Sequence, residues 1–302
     1  PEAWFTYHVY HKAPDWVGPA VSEALNIPYF MAEVSHAPKQ AGGPWDIGYC
    51  ATESAIRNAQ GIFGLSALDG ACVQPLLDDP GRYHKLAPFT DTRPFARAME
   101  RRAEHRKKVI DRFDFQPAAP VLLAVGMMRE GDKLASYGVL AEALGMLSHK
   151  AWSLLIVGDG PARGAVESFF HEVPSERIGF AGTTAPDDLP GLYAAADLMV
   201  WPAINEAYGM AMLEAQATGL PVVAGRTGGV PDVVHDGETG LLCPVGDTGA
   251  FANTVDRLLA EPGRLKTYSA RASARASAEN DISTAADALD RILRSGRKAE
   301  AA

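Results

Sequence analysis

Apolar residues along this chain gather into short, nearly unbroken runs set between longer stretches of helical spacing. In the second part the runs are VLLAVG (121–126), SLLIVG (153–158), RIGFAG (177–182), LMVWPA (198–203), LPVVAG (220–225) and GLLCPV (240–245). Runs this continuous predict strands covered on both faces, as in parallel sheets. The first part has the same rhythm: WFTYHVY as a strand, DWVGPAVSEALN as an amphipathic helix and IPYFMAEVSH as a buried strand. A helix follows from about Gly48 to Gln60, then the strand GIFGLS and a helix from Ala67 to Leu77. Strands alternating with helices imply parallel pairing through right-handed crossovers. KLAPFTDTRPF (85–95) breaks the pattern with prolines and polar residues, and the charge-rich stretch 97–113 after it predicts a solvated connector helix. STAADALDRILR (283–294) predicts a last amphipathic helix, with SGRKAEAA as a frayed tail. The expected fold class is α/β, as two doubly wound Rossmann-like domains facing across a cleft, with ligands outside the carboxyl ends of the strands. The expected boundaries are 1–92 for a partial N-terminal domain, 93–117 for the connector, 118–280 for a C-terminal domain and 281–302 for a helix packing back on the N-terminal domain.

Charge narrows the partners. The 302 residues carry 28 Lys+Arg against 37 Asp+Glu, a net charge of -9, which argues against a general nucleic-acid binder. Cys50, Cys72 and Cys243 make a poor disulfide framework and fit no zinc spacing, so a reducing cytosol is expected. The apolar runs are too short to span a bilayer. The chain opens on Pro1 with a strand under way, which suggests that its natural start lies upstream.

Two glycine-bearing turns are candidates for chemistry. VGDGPARG (157–164) fails as a dinucleotide fingerprint: Gly158 and Gly160 fit, but Arg163 occupies the third glycine position and Gly164 comes one late. It reads as a tight strand-to-helix turn. NEAYGMAMLEAQATG (205–219) opens a helix from about Met210 to Thr218, stopped by Gly219 and Pro221. The amides near Tyr208, Gly209 and Met210 would lie at the helix start, where oriented N–H groups and the helix dipole attract phosphate. Glu206 precedes that start and Glu214 lies inside the helix, about 80° around it if both were helical. They could hold different parts of one elongated ligand, or serve as a capping acid and an ordinary helix former. Gly228-Gly229 forms a second turn that would widen the same anion-accepting surface.

EAYGMAMLEAQATGLPVVA followed by GGVPDVV and DGETGLL, together with VGDGP, FAGTT and LYAAADLMVWPA, resembles the donor-binding region of retaining GT-B glycosyltransferases of the family-4 type. Two glutamates separated by seven residues, with an aromatic and a glycine between them, mark that family. The resemblance covers nearly all of 118–280 and is thinner over 1–92; it implies that about half of the N-terminal domain is missing ahead of Pro1. It implies that Glu206 contacts the transferred sugar, that Glu214 holds the ribose, and that the backbone from Ala207 through Tyr208 and Gly209 to Met210 receives sugar and phosphate. A basic pair after the first strand would neutralise the diphosphate. Arg129 and Lys133 are the candidates, although Met127 stands where the family pattern has Arg. His36, in VSHAPK, matches a strand-end His that faces the donor sugar and is the second catalytic candidate. His8, His11 and Lys39 are further candidates, and Trp45 could shape the acceptor side.

The implied activity is transfer of a sugar, with retention, from a nucleotide-diphosphate sugar to a glycan, lipid or small-molecule acceptor. No metal and no cofactor are expected, since no Asp-x-Asp or His cluster is present to hold an ion. Peripheral contact with the inner face of the membrane is a further expectation for the acceptor side. The alternatives are a nucleotide-sugar-binding fragment without turnover and a GT-B sugar-nucleotide epimerase.

Overall fold

The apolar runs become strands of two all-parallel sheets, each within its own unit. The computed structural model describes residues 1–148 and 151–300. Unit 1 comprises Pro1–Pro88 with Ser283–Ala302, and unit 2 comprises Phe89–Ile282.

Unit 1 runs β1 (Trp4–Val9), α1 (Gly18–Leu25), β2 (Tyr29–Val34), α2 (Asp46–Asn58), β3 (Gly61–Gly64), α3 (Ala67–Val73) and β4 (Tyr83–Lys85), with sheet order β1-β2-β3-β4. Strand alternation splits the side chains between two faces. Met31 and Ile62 join Ala55, Ile56 and Val73 in one core cluster. Phe30, Ala32 and Phe63 face the other way, against Leu289, Ile292 and Leu293. Those three leucine and isoleucine side chains come from the C-terminal helix, whose packing therefore belongs to this unit. Ala301 and Ala302, at the end of the tail expected to fray, lie outside the described residues.

Unit 2 runs α4 (Arg93–Glu100), α5 (Arg102–Phe113), β5 (Val121–Val125), α6 (Asp132–Gly145), β6 (Ser153–Val157), α7 (Arg163–Phe169), β7 (Ile178–Gly182), α8 (Leu189–Ala195), β8 (Leu198–Trp201), α9 (Met210–Ala217), β9 (Val222–Gly225), α10 (Val230–Val233), β10 (Gly240–Cys243), α11 (Thr248–Ala260) and α12 (Pro262–Glu279); α13 (Ile282–Glu300) then joins unit 1. The sheet order is β10-β9-β8-β5-β6-β7. Leu122, Leu123, Leu154, Leu155, Met199 and Val223 are fully buried, which explains the unbroken apolar runs.

The stretch expected as one solvated connector is instead two helices, broken at Arg101 and packed into unit 2. Its charges have internal work. Arg102 donates to Ala194 O at 2.7 Å and to Asp197 Oδ1 at 2.6 Å, and Arg106 donates to Asp197 Oδ2 at 2.7 Å and Ala119 O at 2.8 Å. Asp197 Oδ2 also accepts the Val121 N–H at 2.7 Å, so the acid ties α5 to the start of β5. A charged sequence read as solvated because helix-end carbonyls and a distant acid that neutralise it cannot be seen locally.

Candidate functional site

The strand order of unit 2 reverses between β5 and β8: the chain moves outward from β5 to β7, then crosses back to β8 and moves outward the other way. Such a switch point leaves a crevice at the carboxyl ends of the two central strands. A cavity of about 330 Å³ opens there, lined by Val125 at the end of β5, Gly126 and Met127 after it, Trp201 at the end of β8, Lys133 on α6 and the run from Glu206 to Met212.

The loop that carries Glu206 is held by three devices. Ala203 and Asn205 adopt left-handed φ of 54° and 51°. The Ile204 N–H donates to Ser136 Oγ at 3.0 Å and Asn205 Nδ2 to Asp132 Oδ2 at 2.8 Å, pinning the loop to the first turns of α6. From the other side the Gly229 N–H donates to Ala207 O at 2.6 Å. Gly228, at φ 51°, lies so close that a Cβ there would overlap the Glu206 carbonyl oxygen. The two Gly-rich turns therefore meet.

Lys133 Nζ lies 2.5 Å from Glu206 Oε2, and Trp201 Nε1 donates to the same oxygen at 3.2 Å. Both partners of the ion pair are largely buried, with side-chain exposures of 21% and 16%. Gly209 caps α9 in the left-handed region, and Met212 and Leu213 donate back to its carbonyl at 2.8 and 3.2 Å. The amides ahead of them lie outside the helix ladder, at the positive end of the dipole.

Glu214 does not line this cavity. Its Oε2 accepts the Tyr193 hydroxyl at 2.8 Å. Burial raises the carboxyl above the ordinary glutamate range, and the Tyr193 bond offsets that in part. Burial, reinforced by Glu214, likewise pushes the Tyr193 phenol up. Arg129 is exposed and also falls outside the cavity lining, whereas Met127, 59% exposed, forms part of its wall. VGDGP is a tight turn as expected. Met128 N–H donates to Asp159 O at 2.9 Å and Ala162 N–H to Met128 O at 2.9 Å, and a Cβ on Gly158 would overlap Gly126 O.

The remaining candidates belong to unit 1. His36 is buried, at 6% exposure, with its ring 5.0 Å from that of Tyr49. Its Nε2 is 3.7 Å from Glu53 Oε2, an ion-pair distance too long for a hydrogen bond, and neither ring nitrogen has a hydrogen-bond partner. Burial lowers its pKa, against the opposing pull of Glu53. His8 and His11 follow one another in an aromatic series with Tyr7, Tyr10 and Trp45, at centroid spacings of 6.2, 5.1, 5.3 and 6.3 Å. His8 Nδ1 is 3.2 Å from Glu33 Oε2, and Lys39 lies in the turn after β2. Local sequence reasoning missed Trp201 and Tyr193, the side chains that hold the two glutamates. Both sit in apolar runs and read as plain core.

The parallel sheets in two Rossmann-like units define a GT-B fold, and solved glycosyltransferases share it. Sucrose-phosphate synthase from Thermosynechococcus elongatus aligns over 97% of this chain and 73% of its own, with a TM-score of 0.76 and 23% identity. The Anabaena protein HepE in complex with UDP aligns over 97% of this chain and 79% of its own, with a TM-score of 0.79 and 18% identity. Residues 119–261, all within unit 2, match the family described as glycosyl transferases group 1. D-inositol 3-phosphate glycosyltransferase of Salinispora tropica is 33% identical over 198 residues, which is 62% of this chain and 40% of that protein. The matched region thus spans 40% of the length of this relative.

Proposed function

We propose that the chain acts as a glycosyltransferase that moves a sugar, with retention, from a nucleotide-diphosphate sugar to a hydroxyl-bearing acceptor. The observation that carries the reading is the cavity at the β5/β8 switch point, where Lys133, Glu206 and the start of α9 converge. Breaking a bond from sugar to diphosphate leaves negative charge on the departing phosphate. A preorganised ammonium and helix-start amides stabilise that charge in a partly dry site, without a protein-bound metal or cofactor. Lys133 and the amides from Tyr208 to Met210 take the diphosphate in this reading. Glu206 orients the sugar hydroxyls and Glu214 the ribose. Neither glutamate is assigned as a nucleophile, because two carboxylates acting at one glycosidic bond would flank it. Arg129 is the auxiliary phosphate candidate, and His36 is assigned to the sugar side.

UDP is the first nucleotide to try, because HepE was solved with UDP and with UDP-glucose. The acceptor is a glycan, lipid or small molecule. The three free thiols suit a reducing cytosol, and none of the described helices is long and apolar enough to cross a membrane.

The test is calorimetric titration with UDP, followed by UDP release from UDP-glucose with and without acceptors. Glu214→Ala is expected to weaken UDP binding by about tenfold or more, the loss of hydrogen bonds to a charged group. Unchanged affinity would remove Glu214 from the ribose. Binding of UDP without release from any nucleotide sugar would favour the non-catalytic alternative, and epimerised free donor would favour the epimerase.

A further inference from the structure

We infer that Trp201 is a positioning residue: its indole N–H is the fixed donor that keeps the Glu206 carboxylate aimed into the cavity when Lys133 turns to the donor's diphosphate. The inference rests on the proposed donor site.

Three observations lead to it. The first is that Lys133 Nζ and Trp201 Nε1 share one acceptor, Glu206 Oε2, at 2.5 and 3.2 Å. The same ammonium stands 5.4 Å from the centroid of the Trp201 ring, so cation, carboxylate and indole form one unit. The second is that the two donors differ in freedom. Lys133 hangs on a flexible four-carbon stem and can swing to a phosphate oxygen. The indole cannot follow, because Trp201 is 2% exposed and its ring meets Tyr137 edge-on at 5.0 Å and 81°. Tyr137 is itself fixed by its hydroxyl, which donates to Gly126 O at 2.7 Å. A Cβ on Gly126 would come within 3.0 Å of Trp201 Cη2, so this glycine leaves room for the indole. The third is that Lys133 is the one cationic side chain lining the cavity among the described residues. A diphosphate entering there competes directly for the cation that Glu206 holds. When Lys133 leaves, Glu206 keeps one charge-assisted bond, from a rigid donor. A carboxylate with no partner would swing, and sugar-orienting contacts tolerate little displacement.

The test removes the N–H and keeps an aromatic ring. In the indole region of an amide-correlation spectrum, the signal lost in Trp201→Phe identifies Trp201. That signal is expected to move upfield in Glu206→Ala and to remain in place in Lys133→Met. An indole signal unchanged by Glu206→Ala would overturn the inference, whatever the enzyme does. In turnover of UDP-glucose, Trp201→Phe is expected to hold the UDP dissociation constant within about twofold while kcat falls about 10- to 100-fold, the loss typical of one fixed hydrogen bond to a charged group. In a Glu206→Ala background the same substitution should cost nothing further. Additive losses, or equal losses of UDP affinity and kcat, would mean that Trp201 only packs. If the wild-type chain turns over no nucleotide sugar, that result counts against glycosyl transfer, and the spectrum alone decides Trp201.

Discussion

Two glutamates eight positions apart on one short segment end in different environments, and each side chain's neighbours set its chemistry. Glu206 shares an oxygen between Lys133 and Trp201 at the cavity wall, whereas Glu214 turns to Tyr193 between helices. Glu214 gives a pH prediction. Its carboxyl is raised by burial, so the fold prefers its protonated form. That preference favours folding at low pH and is lost as pH rises through the raised value. Glu214→Gln, which deletes the ionisation and keeps an acceptor for Tyr193, is therefore expected to raise the melting temperature at neutral pH; an unchanged or lower value would show that the charge costs nothing. Ribose hydroxyls donate to the carboxylate, so UDP affinity should climb as pH rises through that raised value and then level off. The Gln variant should show a smaller rise in calorimetry, keeping only the part that comes from ionisation of the UDP phosphate itself. Spacing and resemblance singled out Lys133 and Glu206, which line the cavity, and Glu214, which does not; they did not single out Trp201 or Tyr193. A buried aromatic with a polar tip looks like core until its hydrogen-bond acceptor is located in space.

Among elements, the turns matter more than the helices they join. Gly228 approaches the Glu206 carbonyl at a left-handed φ of 51°, a position closed to a side chain both by conformation and by space. Gly228→Ala is expected to push the loop from Glu206 to Tyr208 off its partner turn, costing about 1–3 kcal/mol of stability and weakening UDP binding. Wild-type affinity in that variant would show that the loop repacks without consequence. The turn after β5 offers the opposite experiment. Met127 lines the cavity and is 59% exposed, so Met127→Arg would bring a second cation to the wall at little cost in packing. It is expected to tighten UDP binding about three- to tenfold through charge-assisted bonds to phosphate; no gain would place the diphosphate away from this wall. That these turns are strand-to-helix connections was readable from glycine and proline placement. That they touch one another was not, because Gly229 and Ala207 meet only when β8 and β9 lie side by side.

At the scale of the whole chain, contacts divide it into two units, and the cavity at the β5/β8 switch point lies wholly within Phe89–Ile282. Saturating UDP should therefore protect amides around 121–133 and 198–217 from hydrogen exchange while leaving those of 1–88 at their free rates. Equal protection in unit 1 would show that the nucleotide reaches beyond the cavity described. The sequence by itself determined the α/β class, the succession of parallel strands and the position of the α9 start. These follow from local signals: apolar period, glycine at positive φ and helix stops. Tertiary structure alone decided where the switch point falls, which residues hold Glu206 and Glu214, and that the charged stretch from Arg93 to Phe113 is docked through Asp197 rather than solvated. Strand order is set by crossovers spanning many residues, and the partner of a buried polar group is fixed by packing between distant segments. Neither leaves a periodic trace along the chain.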